Sequence, residues 1–339
     1  MAIEPLTDSY GRVHRDLRIS VTDRCNFRCT YCMPEEGMTW LPRSEVLTFE
    51  EIERVTRVCV DRLGIDAVRL TGGEPTVRAH LPVLVEKLAA LRVPGPDGRP
   101  GRPLDLALTT NAATLRSMAT DLRAAGLRRV NISLDTLRRD RFVELTRRDE
   151  LDRVLDGIDA AVEAGLDPVK INVVVMRGVN DDEIVDLATF GRDRGVTVRF
   201  IEWMPLDAQE QWREQAVVSQ AEILDAIGEV FPVDPIVRGP EPAERFAYRD
   251  GRGEVGVIPS VTRPFCMSCD RIRLTADGQL RSCLFAVDEV DLRALLRSGA
   301  SDADLDEAVR GCVADKWAGH MIGQVTFVRP RRSMSQIGG

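Results

Sequence analysis

Six short β-rich runs alternate with longer helical patterns over the first 202 of this chain's 339 residues. The runs are Leu17–Thr22, Asp66–Thr71, Leu104–Thr109, Arg129–Leu134, Pro168–Met176 and Thr197–Glu202. Helical periodicity fills the intervals, expected over Leu81–Leu91, Thr114–Ala125, Leu151–Ala164 and Asp181–Arg194. Thr48-Phe49-Glu50-Glu51 reads as a capping box that opens a further helix reaching about Leu63. A parallel strand pair needs a crossover long enough for a helix, so this alternation predicts an α/β fold of parallel strands covered by helices. The count of six predicts an incomplete (β/α)6 barrel rather than a closed eight-stranded one. Residues 93–103, rich in Pro and Gly, read as a loop. The pattern weakens after Met204, so residues 1–205 are expected to form the partial barrel and 206–339 a smaller C-terminal region.

In barrels of parallel strands the reactive groups sit at the C-terminal strand ends. Here those ends carry a Cys-rich loop, then Gly72-Gly73-Glu74-Pro75, Thr109-Thr110-Asn111 and Ser133-Leu134-Asp135. The first loop holds Cys25, Cys29 and Cys32. Three cysteines can hold a [4Fe–4S] cluster and leave one iron open. Structural zinc normally takes a fourth Cys or His nearby, and His14 and His80 are poorly spaced for it. A second three-cysteine set follows at Cys266, Cys269 and Cys283 and reads the same way. A zinc ribbon completed by Cys312 is the alternative, although Cys312, like Cys59, has the helical spacing of a buried apolar thiol. Gly-Gly-Glu-Pro alone would be a tight turn. Beside the cysteine loop it reads as a backbone edge for the amino group of an amino-acid-like cofactor.

The net charge of −8 gives no argument for nucleic-acid binding. No apolar run approaches the ~20 residues of a membrane span, and the polar N-terminus has no signal-peptide core. A cytoplasmic location is expected, with the eight cysteines free, redox-active or metal-bound. Only three lysines occur, so Lys170, entering an apolar strand, stands out. Arg18, Arg69 and Arg199 lie in strands of the same barrel, and four cations there suit a polyphosphate. Arg271 and Arg273 alternate around Ile272, so both face one side as a wall for an anion or a purine. The chain finishes in Gly338-Gly339, slim enough to thread into a pocket rather than simply fray.

Cys25-x3-Cys29-x-Tyr31-Cys32 followed by Gly72-Gly73-Glu74-Pro75 resembles the radical S-adenosylmethionine (SAM) enzymes. Asp16–Cys29, Tyr31–Pro34, Arg69–Pro75, Asn131–Asp135, Arg199–Glu202, the Cys266–Cys283 block and Gly338-Gly339 extend the likeness over nearly the whole chain to the MoaA family of molybdenum-cofactor biosynthesis. That resemblance implies a TIM-like radical SAM barrel with SAM and two [4Fe–4S] clusters, one on Cys25, Cys29 and Cys32 and one on Cys266, Cys269 and Cys283. It implies SAM lying against Tyr31, Gly73, Glu74, Ser133 and Met204. GTP would be held by Arg18, Arg69, Thr109, Lys170, Arg271, Ile272 and Arg273, more weakly by Arg199, with guanine on the open iron of the second cluster. Arg18, Arg271, Arg273, Gly338 and Gly339 would serve catalysis. The implied reaction turns GTP into (8S)-3′,8-cyclo-7,8-dihydroguanosine 5′-triphosphate through 3′-hydrogen abstraction by a 5′-deoxyadenosyl radical. An external electron donor is implied, as is a functional link to the next pathway enzyme, cyclic pyranopterin monophosphate synthase, with the chain a monomer or homodimer. No nucleic-acid or membrane partner is expected. Two other classes stay open: a different two-cluster radical enzyme, such as a peptide or sulfatase maturase, and a non-catalytic zinc module.

Overall fold

The computed structural model describes residues 4–34, 38–95, 101–206, 211–237, 239, 241–325 and 327–338. Its first six strands are β1 (Asp16–Ser20), β2 (Ala67–Thr71), β3 (Asp105–Thr110), β4 (Arg129–Ser133), β5 (Val169–Val175) and β6 (Thr197–Glu202). Each pairs in parallel with the next. Alternation along each strand sorts its side chains into two sets. Leu17 and Ile19, Val68 and Leu70, Ile171 and Val173, and Val198 and Phe200 enter the helix-covered core. The opposite set, including Arg18, Arg69, Thr109, Asn172 and Arg199, faces a cavity inside the curved sheet.

The helices α1 (Phe49–Leu63), α2 (Leu81–Ala89), α3 (Ala119–Ala124), α4 (Arg139–Thr146), α5 (Leu151–Glu163) and α6 (Ile184–Arg194) cover the outside. The expected capping box opens α1: Thr48 accepts from the Glu51 N–H while Glu51 accepts from the Thr48 N–H. Helix α1 buries Ile52, Val55, Cys59, Val60 and Leu63, so Cys59 is a core thiol. The expected helix over 114–125 divides into a 3-10 turn at Leu115–Ser117 and the short α3. Likewise, a 3-10 turn at Asp181–Glu183 precedes α6. The flanks of the expected loop, Arg92–Val93 and Arg102–Pro103, pair as a small hairpin.

The remaining elements are α7 (Gln220–Val230), β7 (Val233–Pro235), β8 (Glu244–Tyr248), β9 (Glu254–Ile258), β10 (Arg271–Leu274), β11 (Gln279–Arg281), β12 (Val290–Asp291), α8 (Leu292–Arg297), α9 (Asp302–Ala314) and α10 (Met334–Ile337). These C-terminal strands build no sheet of their own. β9 adds in parallel to β6, and β10 adds in parallel to β1. The result is a twelve-stranded sheet in the order β12-β11-β10-β1-β2-β3-β4-β5-β6-β9-β8-β7. Six barrel strands alone would leave β1 and β6 as open edges, and the C-terminal region covers both. Among the described residues no helix is long and apolar enough to cross a membrane.

Candidate active site

The cysteine loop leaves β1 and is braced by the turn after β2. A Cβ on Gly73 would lie 2.4 Å from the Arg24 carbonyl oxygen, so only glycine permits this approach. The Gly73 N–H donates to Thr22 O at 2.8 Å and the Glu74 N–H to Arg24 O at 2.8 Å. Glu74 is buried, and its carboxylate accepts from Thr76 N (3.0 Å), Thr110 Oγ1 (2.6 Å) and Asn111 N (2.6 Å). That carboxylate ties the end of β2 to the end of β3. The turn is therefore tight, as expected, and its Gly72, Gly73 and Glu74 line the cavity beside the cysteine loop.

Cys25, Cys29, Cys32, Tyr31, Gly73, Glu74 and Ser133 line one cavity. What these thiols expose faces that cavity. Burial pushes Cys25 and Cys32 up to about 12, with the Glu74 charge adding to the effect on Cys25. Burial, then the neighbouring Cys32 and Cys25, pushes Cys29 well above its ordinary value. Asn111 and Asp135 also line it. Asn111 Nδ2 donates to Asn26 Oδ1 at 2.8 Å and stands 4.0 Å from Cys25 Sγ. The Tyr31 hydroxyl donates to Asp135 Oδ2, and burial pushes Asp135 up to about 6. Neither Asn111 nor Asp135 was assigned a role from sequence. Their position as polar residues at strand ends was the available signal.

A second cavity is lined by Arg18, Arg69, Thr109, Arg199, Arg271 and Arg273 together with Cys266, Cys269 and Cys283. Arg273, Arg18 and Arg69 are register partners across β10, β1 and β2, so they form one row. Burial, then Arg271, Arg69 and Arg273, pushes the Arg18 guanidinium well below its ordinary value, with Asp16 opposing. Arg18 Nε and Arg69 Nε have no hydrogen-bond partner among the described residues. Such crowding of buried cations is unfavourable until an anion arrives. Arg199 is steadied by Asn172 (3.0 Å from Nε) and Asn131 (2.5 Å from Nη2), and burial lowers it to about 9.

Three of the expected ligand residues are placed differently relative to these adjoining cavities. Lys170 does not line this cavity; it precedes Asn172 on the same face of β5 and its Nζ is 3.5 Å from Glu241. The Ile272 side chain points away into the core, leaving only its main chain near the cavity. Met204 lines the arginine cavity rather than that of the first three thiols.

Cys266 lies on a 3-10 turn, Cys269 shortly precedes β10, and Cys283 shortly follows β11. The β10–β11 hairpin thus carries both arginines between its cysteines. Burial pushes Cys266 up. Burial also raises Cys269, but Lys316 and Arg271 together bring it below its ordinary value. Lys316 and His14 were not anticipated as neighbours of this set. Cys312 sits on α9, with its Sγ 3.8 Å from Leu280 O, and is not in the arginine cavity.

The C-terminal tail reaches both cavities. Met334 lines both, along with Thr109, Asn172 and Ile201. Ser335 hydrogen-bonds Cys32. Ser20 Oγ donates to Ile337 O at 3.1 Å, and Arg273 Nη1 donates to Gly338 O. Gly339 lies outside the described residues.

Among the described residues no group of three or more His, Cys, Asp or Glu side chains could hold a single metal ion. A structural zinc site would need four such groups converging on one point. Cluster cysteines each bind a different iron and stand further apart. Two sets of three part-buried thiols each line their own cavity, a donor set that suits a cluster better than a single ion.

The sequence profile of the Radical SAM superfamily matches residues 19–191, and that of Molybdenum Cofactor Synthesis C matches residues 196–322. The GTP 3′,8-cyclase of Streptomyces coelicolor is 52% identical, covering 98% of this chain and 96% of that protein. The GTP 3′,8-cyclase of Rhodopirellula baltica is 49% identical, covering 98% of this chain and 92% of that protein. In fold, the chain is similar to Streptococcus suis SuiB, with a TM-score of 0.60 at 14% identity, covering 91% of this chain and 68% of SuiB. With both halves matched in one continuous alignment, this chain belongs to the GTP 3′,8-cyclase family of the radical SAM superfamily.

Proposed function

We infer that this chain converts GTP into (8S)-3′,8-cyclo-7,8-dihydroguanosine 5′-triphosphate, the first step of molybdenum-cofactor biosynthesis. The observation that carries the reading is the buried row Arg273–Arg18–Arg69, facing a cavity that three cysteines also line. Such a row has no use in a neutral or cationic site and suits a triphosphate.

Superfamily membership implies SAM and a [4Fe–4S] cluster. When bound, they supply the 5′-deoxyadenosyl radical that takes the ribose 3′ hydrogen. In this reading Cys25, Cys29 and Cys32 hold that cluster, while Tyr31, Gly73, Asn111, Ser133 and Asp135 shape the SAM cavity. Glu74 acts one step back, fixing the turn. A second [4Fe–4S] cluster on Cys266, Cys269 and Cys283 is supported by their joint lining of the arginine cavity. Arg18, Arg69, Arg271 and Arg273 bind the nucleotide, and Thr109, common to both cavities, marks where substrate and radical source meet. Met204 is proposed to lie against SAM from the side of the arginine cavity, which adjoins the SAM cavity at Thr109 and Met334, and Ile272 contributes through its main chain. Lys170 acts on the nucleotide only at longer range. Gly338 closes the site by holding Arg273, and Gly339 is assigned to catalysis by the family resemblance alone. An external electron donor and cyclic pyranopterin monophosphate synthase complete the expected route.

The test is an anaerobic assay of iron-reconstituted protein with SAM, a reductant and GTP, read by mass spectrometry. 5′-Deoxyadenosine together with a cyclised isomer of GTP is the expected result. Deoxyadenosine formed regardless of GTP, with GTP intact, would remove GTP as the substrate.

A further inference from the structure

Lys316 is buried, and its Nζ faces three acceptors. It donates to Arg271 O at 2.7 Å, stands 3.4 Å from His14 Nδ1 and lies 3.7 Å from Cys269 Sγ. An ammonium has three N–H groups, so each has one partner and the geometry is fully used. None of the three partners is a carboxylate, and Cys269 and Cys283 act on the Lys316 charge ahead of Asp8.

The surroundings hold the ammonium in this direction. His14 is fully buried, with Nε2 3.0 Å from Asp8 Oδ2. Asp8 keeps the Nε2 proton, which leaves Nδ1 as the acceptor facing Lys316. Arg12 Nε shares the same carboxylate at 2.6 Å, and its remaining nitrogens donate to Cys266 O (2.8 Å), Trp317 O (2.7 Å) and Ala318 O (3.0 Å). Asp8, Arg12 and His14 thereby clamp the cysteine turn and the Lys316 segment to each other. Among the described residues no lysine or arginine side chain donates to the sulfur of Cys25, Cys29 or Cys32; Arg28 reaches only the Cys25 carbonyl oxygen, at 2.7 Å. The two thiol sets differ in this one respect.

We propose that Lys316 is a positioning residue of the second [4Fe–4S] centre, donating a charged hydrogen bond to the Cys269 sulfur and raising that centre's reduction potential above the first's. This rests on the two-cluster reading given above. Hydrogen bonds and positive charge at a ligating sulfur favour the reduced, more negative cluster. Set apart in this way, one centre can act as the strong reductant toward SAM while the other binds the base.

The experiment is an EPR-monitored redox titration of the reconstituted full chain. A Cys25→Ala, Cys29→Ala, Cys32→Ala background isolates the second centre, and Lys316→Met, Lys316→Gln and Lys316→Arg are compared within it. Met and Gln should lower the potential, and Arg should hold it near the parent value. Unchanged potentials in Met and Gln at full iron and sulfide content would overturn the proposal. Loss of the centre from both would also overturn it, making Lys316 a structural support only. A parent background that binds no iron–sulfur centre would instead defeat the two-cluster reading itself.

Discussion

Arg273 donates a hydrogen bond to the carbonyl oxygen of Gly338, joining the row of cavity arginines to the end of the chain. Gly338 has φ 87°, and a Cβ there would lie 2.1 Å from Ser20 Oγ. Both facts make glycine obligatory in this position. Gly338→Ala should displace the tail and free Arg273, lowering kcat/KM at least about tenfold, the effect of ~1.4 kcal/mol on a barrier. Adding Ser20→Gly removes the clashing hydroxyl and should recover part of the loss. Iron content should stay constant across the series; equal activity of Gly338→Ala and the parent would refute the contact's importance.

The tail is also gripped before α10. Arg332 Nη2 is 2.9 Å from Asp277 Oδ2, and Arg332 Nε is 2.8 Å from Glu289 Oε1. Glu289 in turn pairs with Arg281, two residues before Cys283. One hairpin therefore holds the tail at Arg332 and again at Gly338. Arg332→Ala and Glu289→Gln should each reduce cyclisation. Their double mutant should fall short of additivity by about 0.5–3 kcal/mol in activation free energy, as expected for partners in one network.

The sequence revealed the inside of the barrel better than its axial positions. Period-two alternation places Arg18, Arg69, Arg271 and Arg273 on an inner face without any coordinates. It cannot say how far along the barrel Lys170 sits, because that depends on register with β4 and β6. The same limit applies to Met204, whose loop chooses between two cavities. Ile272 lies between Arg271 and Arg273, and alternation turns its side chain outward into the core. Helix α4 escaped notice because it is eight residues long and strongly charged, with only Phe142, Leu145 and Thr146 buried. His14 and Lys316 are 302 residues apart, and their meeting depends on β10 pairing with β1, which no local pattern encodes.

His14 predicts a pH dependence of folding. Burial, then the charge of Lys316, lowers its pKa from 6.5 to about 4, against the opposing pull of Asp8. The unfolded chain therefore takes up this proton near pH 6.5, whereas the folded chain resists until near pH 4. Stability is fully present above that window and falls as pH drops through it, by roughly 3 kcal/mol at full extent. The melting temperature of metal-free protein should fall between pH 6.5 and pH 4.5, and His14→Gln should flatten that slope. Parallel slopes for the two proteins would exclude His14 as the cause.

Arg18 and Lys170 separate binding from mere proximity of charge. Arg18 is 9% exposed and lies in register with Arg69 and Arg273, and its Nε lacks a hydrogen-bond partner. Its ion pair with Asp16, at 3.8 Å, offsets only part of the cost of burial among Arg69, Arg271 and Arg273, and the rest is recovered when a polyanion is present. Arg18→Met should raise the melting temperature of the metal-free chain by removing like-charge crowding. The same change should lower kcat/KM for GTP by about 100-fold or more, corresponding to ~2.7 kcal/mol or more of lost transition-state binding. Lys170 is already paired with Glu241 and lies off the cavity wall. Lys170→Met should therefore weaken GTP use much less, and mainly through KM. If the two variants lost activity equally, the triphosphate would have to extend past the arginine row to the entry end of β5.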